Sequence, residues 1–264
     1  MKINGCNALI TGASAGIGRE FARQLATRAR TLVLVARREQ RLNELREEFR
    51  NRNAQLDVQT RVVDLCDKSQ IDELVRWLAH NKIDIDFLIN NAGLGDYGSV
   101  ATSDIERDNG IIQVNITALT SLTRHLLPQM IARKCGAILN VSSSAGFLPI
   151  PGMAVYAASK AFVNNFTEAL RAELRGSGVV VTALCPGPVH TEFGDVAKRA
   201  GREPETGPEF TYVSVEQTVS DALAAIASDK PLIIPGVVMK IVMFFVRMTP
   251  MSILRFALRF RAKR

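Results

Sequence analysis

Apolar residues along the first three-quarters of the chain fall into two alternating patterns. Short β-rich runs at residues 7–10, 31–36, 57–63, 87–90, 137–141 and 179–185 read as strands and, as a set, are apolar in the manner of strands covered on both faces. Between them apolar positions recur three and four apart: Leu42, Leu45 and Phe49; Ile71, Leu74, Val75 and Leu78; Phe162, Val163, Phe166 and Leu170. That spacing predicts helices with one face turned to a core. One helix is expected to open near Arg19 and another to run over residues 154–175. Repeated alternation with right-handed crossovers predicts an α/β fold, a doubly wound parallel sheet whose ligands bind outside the carboxyl ends of the strands. Functional residues are therefore sought at strand ends.

The first strand end carries Thr11-Gly12-Ala13-Ser14-Ala15-Gly16-Ile17-Gly18. Glycines there permit a tight turn, and the free N–H groups of the following helix suit a pyrophosphate. The second strand ends in Ala36-Arg37-Arg38 with no acid before Glu39, where a fold of this type that binds a ribose 2′-hydroxyl places a carboxylate. Arg37, with Arg38, suits a 2′-phosphate; the other reading is a pair of solvated loop charges. Asp64, ending the third strand, either accepts from an adenine amino group or caps a helix. Tyr156 and Lys160 lie one helical turn apart, and an ammonium beside a phenol favours the phenolate, bringing the tyrosine nearer to neutrality as an acid or base. Ser143 follows a strand thirteen residues earlier, between Ser142 and Ser144, and its hydroxyl can donate to a carbonyl.

Together with Asn90-Asn91-Ala92-Gly93, Asn115 and Pro186-Gly187-x-x-x-Thr191, these motifs resemble the full series of the short-chain dehydrogenase/reductase family, in its order and spacing over residues 5–195. The resemblance implies a Rossmann-like sheet and an NADP(H)-dependent oxidoreductase interconverting a carbonyl and an alcohol. It implies Tyr156 as general acid in reduction, Lys160 on the nicotinamide ribose, Ser143 orienting the carbonyl and Asn115 holding a water in a proton relay. It implies cofactor contacts from Gly12, Ser14, Gly16, Ile17, Gly18, Arg37, Arg38, Asp64, Asn91, Ala92, Gly93, Tyr156, Lys160, Pro186, Gly187, Val189 and Thr191, with residues 90–93 lining the cofactor floor. NADP-preferring relatives often carry a base where this chain has Ala15, so the preference rests on Arg37, with Arg38 beside it. The alternative is a catalytically silent NADP(H)-binding or sensing protein using the same pocket.

Length and composition add boundaries. With 264 residues, 47% of them hydrophobic, the chain can bury one sizeable core, so residues 1–230 read as a single dinucleotide-binding and catalytic domain. The N-terminus lacks the apolar run of a secretory signal, and the expected location is cytoplasmic. Cys6, Cys66, Cys135 and Cys185 are too scattered for a zinc site or a disulfide framework, so reduced, mostly buried thiols and no metal are expected. Residues 94–100, 147–155 and those after Thr191 should shape the substrate pocket; Phe147, Leu148, Ile150, Met153 and Val155 suit an apolar ketone, aldehyde or acyl group. Residues 193–212 read as a lid whose Lys198, Arg199 and Arg202 are either solvated or meet an anionic substrate.

Charge sets the last segment apart. Eight of the 33 Lys and Arg, and none of the 26 Asp and Glu, follow Asp229, so the rest is close to neutral and a nucleic-acid partner is not expected. Residues 231–264 read as a basic, apolar, helical C-terminal extension. It either attaches to the inner face of a membrane or packs on the protein or across the interface of a homo-oligomer, expected to be a dimer or tetramer.

Overall fold

The computed structural model describes residues 3–199 and 208–261. Among these, seven parallel strands form one sheet: β1 (Asn7–Thr11), β2 (Thr31–Ala36), β3 (Asp57–Val62), β4 (Phe87–Asn90), β5 (Gly136–Val141), β6 (Val179–Leu184) and β7 (Leu232–Ile233). Their order is β3-β2-β1-β4-β5-β6-β7. The chain runs outward from β1 to β3, then crosses back to β4 and runs the other way. A topological switch point therefore falls between β1 and β4, where an open α/β sheet leaves a crevice above its strand ends.

The apolar strands are buried because helices cover both faces. Alternate residues of β1 show it: Ala8 and Ile10 join one cluster with Phe21, Leu45, Phe49 and Leu223, and Leu9 joins the other with Leu74, Leu122 and Leu170. The first face carries α1 (Gly16–Leu25), α2 (Glu39–Arg52) and, after two further elements described below, α8 (Val215–Ala227). The second carries α3 (Lys68–His80), α5 (Leu119–Ala132) and α6 (Ala154–Glu173); α4 (Ile105–Ile112) leads into α5 through a π-helical turn over Gln113–Ala118. The short α7 (Phe193–Ala197) follows β6, and α9 (Val237–Met248) and α10 (Met251–Arg261) end the described chain.

Several boundaries differ from the sequence pattern. Helix α1 starts at Gly16 rather than near Arg19, because the Arg19 N–H already donates to Ala15 O at 3.1 Å and closes the first turn over the glycines. Helix α6 stops at Glu173 instead of Arg175; the Arg175 N–H takes the Ala172 carbonyl, a three-residue step that tightens the last turn. Strand β7 is two residues long, too short to carry a period. Strand β3 is only partly buried because it is the sheet's edge. Phe162 is a surface residue stacked on Phe166 with ring centroids 5.8 Å apart, so the buried stripe of α6 runs instead through Tyr156, Val163 and Leu170. Cys6 and Cys185 are buried, whereas Cys66 and Cys135 are exposed.

A polar ladder crosses the core beneath the switch point. The Asn90 side-chain amide donates to Asn140 Oδ1 (2.9 Å) and Thr123 Oγ1 (3.1 Å), and the Asn140 amide donates to Thr167 Oγ1 (3.0 Å). It ties β4, β5, α5 and α6 at one height. Replacing Asn140 by Ala removes a donor and an acceptor from a fully buried position, which costs about 1–3 kcal/mol. Asn140→Ala is expected to lower the unfolding free energy by that amount, read in urea titrations as a lower midpoint with an unchanged m-value.

Candidate active site

The site is built on the carboxyl ends of β1 to β6. Thr11, the last residue of β1, accepts the N–H groups of Asn91 and Ala92 at 3.0 Å each on its hydroxyl, and Asn91 Nδ2 donates to Thr11 O at 2.9 Å. The glycine turn and the β4 loop are thereby locked together. Space between them is minimal: a Cβ on Gly12, whose φ is +67°, would lie 2.9 Å from Ala92 Cα, and one on Gly18 would lie 2.3 Å from Gly12 O. Ala15 at the start of α1 offers no side-chain acceptor, so the first-turn N–H groups stay available to an anion.

A cleft of about 780 Å³ opens above this floor. Gly12, Ser14, Gly16, Ile17, Arg37, Arg38, Asp64, Asn91, Ala92, Gly93, Tyr156, Lys160, Pro186, Gly187, Val189 and Thr191 all line it. The strand order puts Arg37, Arg38 and Asp64 on one side of the glycine turn and Ser143, Tyr156 and Pro186 on the other. This fits an extended dinucleotide, phosphates at the centre. Gly18 does not line the cleft; its bare Cα packs under Gly12. Asn90 is spent in the core ladder, so the floor begins at Asn91. Asp64 does not cap α3, a role taken by Asp67, which accepts from Ser69 N at 2.8 Å.

Arginine geometry at the β2 end differs from the sequence reading in its emphasis. Arg38 is the residue that reaches the glycine turn, with Nε donating to Ser14 Oγ at 3.3 Å. Arg38 and Arg41 both grip Glu192, at 2.7 and 2.6 Å. Hydrogen bonds from Arg38 and Arg41 hold the Glu192 carboxyl below its usual range. Neither Arg41 nor Glu192 carries a local motif; only the fold brings residue 192 to residues 38 and 41.

On the other side, Tyr156 and Lys160 are buried on the inner face of α6. Ser142 Oγ is committed to Lys160 O at 2.9 Å, while the Ser143 side chain bears on the Tyr156 phenol and partly offsets its upward shift, which favours Ser143 among the three serines. Lys160 Nζ donates to Val141 O (2.9 Å) and stands 5.8 Å from the Tyr156 ring centroid. Burial pushes Tyr156 up to about 12 against the partial relief of Ser143, and it pulls Lys160 down to about 8. The sequence reading expected a tyrosine nearer to neutrality. Desolvation dominates here, and the phenol is a protonated acid at neutral pH.

Asn115 sits in the π-helical turn, which rotates it out of the α4–α5 register. Its Oδ1 accepts from Leu94 N (2.8 Å), and its Nδ2 donates to Leu94 O and Ser159 Oγ (both 2.9 Å), leaving one Oδ1 lone pair uncommitted by these bonds. A Cβ on Gly93 would stand 3.4 Å from both Asn115 Oδ1 and Lys160 Nζ. The missing side chain leaves a space shared by the two polar atoms.

Residues 6–200 match the profile of the short chain dehydrogenase family. The chain belongs to this family. It is 42% identical over 187 residues to sulfoacetaldehyde reductase 2 of Chromohalobacter salexigens, covering 70% of this chain and 73% of that one. Among solved structures it resembles a short-chain dehydrogenase from Sphingobium yanoikuyae in complex with NADPH, with TM-score 0.80, 34% identity and 88% of each chain covered. It also resembles a bulky-bulky ketone specific alcohol dehydrogenase from Comamonas testosteroni, with TM-score 0.77, 30% identity, and 89% and 87% of the two chains covered. The protein is thus an oxidoreductase of a family acting between alcohols and carbonyls.

The substrate side of this dehydrogenase departs from the sequence reading. Of the apolar run in residues 147–155 only Met153 lines the cleft; Phe147 and Leu148 pack behind it against Cys185, Met239 and Met243, and Val155 lines a small separate cavity. The rest of the wall lies where the sequence reading placed it, in residues 94–100 and after Thr191: Leu94, Tyr97, Val196 and Phe193, whose ring lies 5.4 Å from that of Tyr156. Arg199 neither floats in solvent nor faces a substrate. It binds the buried Asp96, which also pairs with Arg107 at 3.0 Å, and Arg107 reaches Val196 O at 2.6 Å. These contacts tie α7 and the residues just after it to the loop after β4. Lys198 lines the cleft and pairs with Asp195 at 3.1 Å; Arg202 lies outside the described residues, as does the middle of the segment read as a lid.

Burial of Lys160 has a measurable signature. Its folded value lies below its usual 10.5, so folding releases a proton between about pH 8 and that value, and stability rises with pH across the window. Lys160→Met lacks this response. From pH 8 to pH 10 the stability difference, wild type minus variant, is expected to grow by roughly 2–3 kcal/mol in urea titrations, at 1.36 kcal/mol per unit.

Proposed function

We propose that this dehydrogenase uses NADPH to reduce a carbonyl compound with apolar substituents. The observation that carries the chemistry is the Ser143–Tyr156–Lys160 constellation, the last two buried, opening on the dinucleotide cleft. A reduced nicotinamide bound there supplies the hydride. Tyr156, protonated at neutral pH because of its burial, delivers the proton to the carbonyl oxygen. Ser143 donates a hydrogen bond to the same oxygen and holds it toward the phenol. Lys160 holds the nicotinamide ribose and places a cation beside the phenolate that forms. The Oδ1 lone pair of Asn115 holds a water that returns a proton towards Lys160 through the space over Gly93.

Arg38 and Arg41 support NADPH over NADH, with Arg37 lining the same end of the cleft. The two guanidiniums already grip one anion, Glu192, and a ribose 2′-phosphate offers them a stronger one. Leu94, Tyr97, Met153 and Phe193 around the phenol favour an apolar substrate. A small anionic substrate, as in the name of the Chromohalobacter relative, finds less support because Lys198 is paired with Asp195 and Arg199 with Asp96.

The test is a panel of aliphatic and aromatic ketones, aldehydes and acyl thioesters with NADPH oxidation followed at saturating cofactor. Tyr156→Phe is expected to lower kcat by about 10²–10⁴-fold with NADPH affinity retained. A protein that binds NADPH tightly and turns over no member of the panel is instead a cofactor-binding protein. Cofactor choice is read separately by fluorescence titration. Arg38→Asp should weaken NADPH by about 10–100-fold and leave NADH nearly unchanged, while Glu192→Gln, which releases both arginines, should tighten NADPH.

A further inference from the structure

Helix α9 buries only a narrow stripe. Met239 and Met243, with half-buried Val246, pack against Ala183, Cys185, Ile234, Phe147 and Leu148, and Arg247 lies over the Phe147 ring at 5.3 Å. The opposite side is equally apolar and faces out: Val237, Ile241, Phe244, Phe245 and Met248 are exposed, Val237 at 71% and Phe245 at 64%. At about 100° per residue these five centre on the side opposite the methionine stripe, and Lys240 and Arg247 occupy one flank between the two faces. A helix apolar on all sides is ordinarily buried on all sides. This one has an uncovered face.

Helix α10 continues the pattern after a bend of 103°. Met251, Ile253 and Phe256 are exposed, and Arg255 and Arg259 stand one turn apart beside them. Among the described residues no single helix is long and apolar enough to cross a membrane, and twelve residues of α9 reach about 18 Å against a hydrocarbon core of about 30 Å. What would cover this surface is indicated by its charge. The chain after Asp229 holds eight Lys and Arg and no acid, while the remainder is close to neutral. A second copy would bring the same cations face to face across a two-fold contact, whereas an anionic lipid surface offers opposite charge at the rim and apolar depth at the centre.

We propose that α9 and α10 form an interfacial docking surface for an anionic phospholipid membrane, lying in the headgroup plane with Phe244 and Phe245 inserted and the tail cations on the phosphates. The surface leans on the catalytic cleft, since a Cβ on Gly187, a cleft-lining residue, would meet Met239 Cγ at 2.8 Å. Docking therefore holds the β6 loop, and with it the cleft, close to the lipid.

The experiment is co-sedimentation of the full-length protein with phosphatidylcholine vesicles containing about one-third phosphatidylglycerol, or none. Binding is expected to be at least tenfold stronger with the anionic lipid and to weaken in 0.5 M salt, following about 1 kcal/mol per basic residue at the surface and its screening. Phe244→Glu with Phe245→Glu should reduce vesicle binding at least tenfold while NADPH titration and circular dichroism stay as in the wild type. Arg255→Gln with Arg259→Gln should lower the anionic preference. Absence of vesicle binding by the wild type overturns the proposal, as does binding that neither double variant changes. If the phenylalanine variant instead converts an oligomer to a monomer and vesicles are ignored, the face is a contact between copies and the proposal fails.

Discussion

A carbon atom added to Gly18 would collide with the carbonyl of Gly12, and one added to Gly12 would collide with Ala92. This close approach of three backbone segments at the switch point is the constraint on which the rest of the site depends. It lets the Thr11 hydroxyl take two N–H groups from the β4 loop, which sets the height of Asn91 to Gly93 relative to the open end of α1. The core ladder from Asn90 through Asn140 to Thr167 carries that height across to α6, where Tyr156 and Lys160 stand. The anion-binding turn and the acid are thus parts of one framework, although about 140 residues of chain separate Gly16 from Tyr156.

Burial then assigns the chemistry. The same desolvation acts in opposite directions on two neighbours: it keeps the phenol of Tyr156 protonated and weakens the hold of Lys160 on its proton. Both shifts favour the uncharged form of the group. Ser143 and Val141, contributed by the end of β5, supply the polar contacts that make the arrangement tolerable. Asn115 is held by three bonds of its own, and the π-helical turn that aims it inward is a distortion that packing on α6 maintains.

Charges outside the acid–base group serve to position loops. Asp96 with Arg107 and Arg199 fastens the segment after α7, and Glu192 fastens the loop after Thr191 to α2 through Arg38 and Arg41. The two clamps differ in exposure. Asp96 is buried, so its pairing is screened little by water, whereas Glu192 is open to solvent and can exchange one partner for another at little cost.

Much of this was legible in the residues themselves. Apolar, β-rich runs declare strands buried on both faces, and local motifs declare the glycine turn, Tyr156 with Lys160, Ser143 and Asn115, because each depends on spacing within a few residues or on position at a strand end. What depended on packing between distant segments was not legible. No period in the chain brings Glu192 to Arg41, Arg199 to Asp96 or Phe193 to Tyr156, and an apolar run such as residues 147–155 does not declare which side faces a cleft and which a methionine stripe. The direction of the Tyr156 shift, expected downward from the neighbouring ammonium, came out upward, since it is set by how deeply the fold buries the phenol. By itself the sequence determined the doubly wound sheet, the local motifs of the candidate site and the uneven placement of charge; only the tertiary structure decided the strand order, which apolar residues face the cleft, the arginines that grip an anion and the face of α9 left uncovered, because these depend on long-range packing that no local pattern encodes.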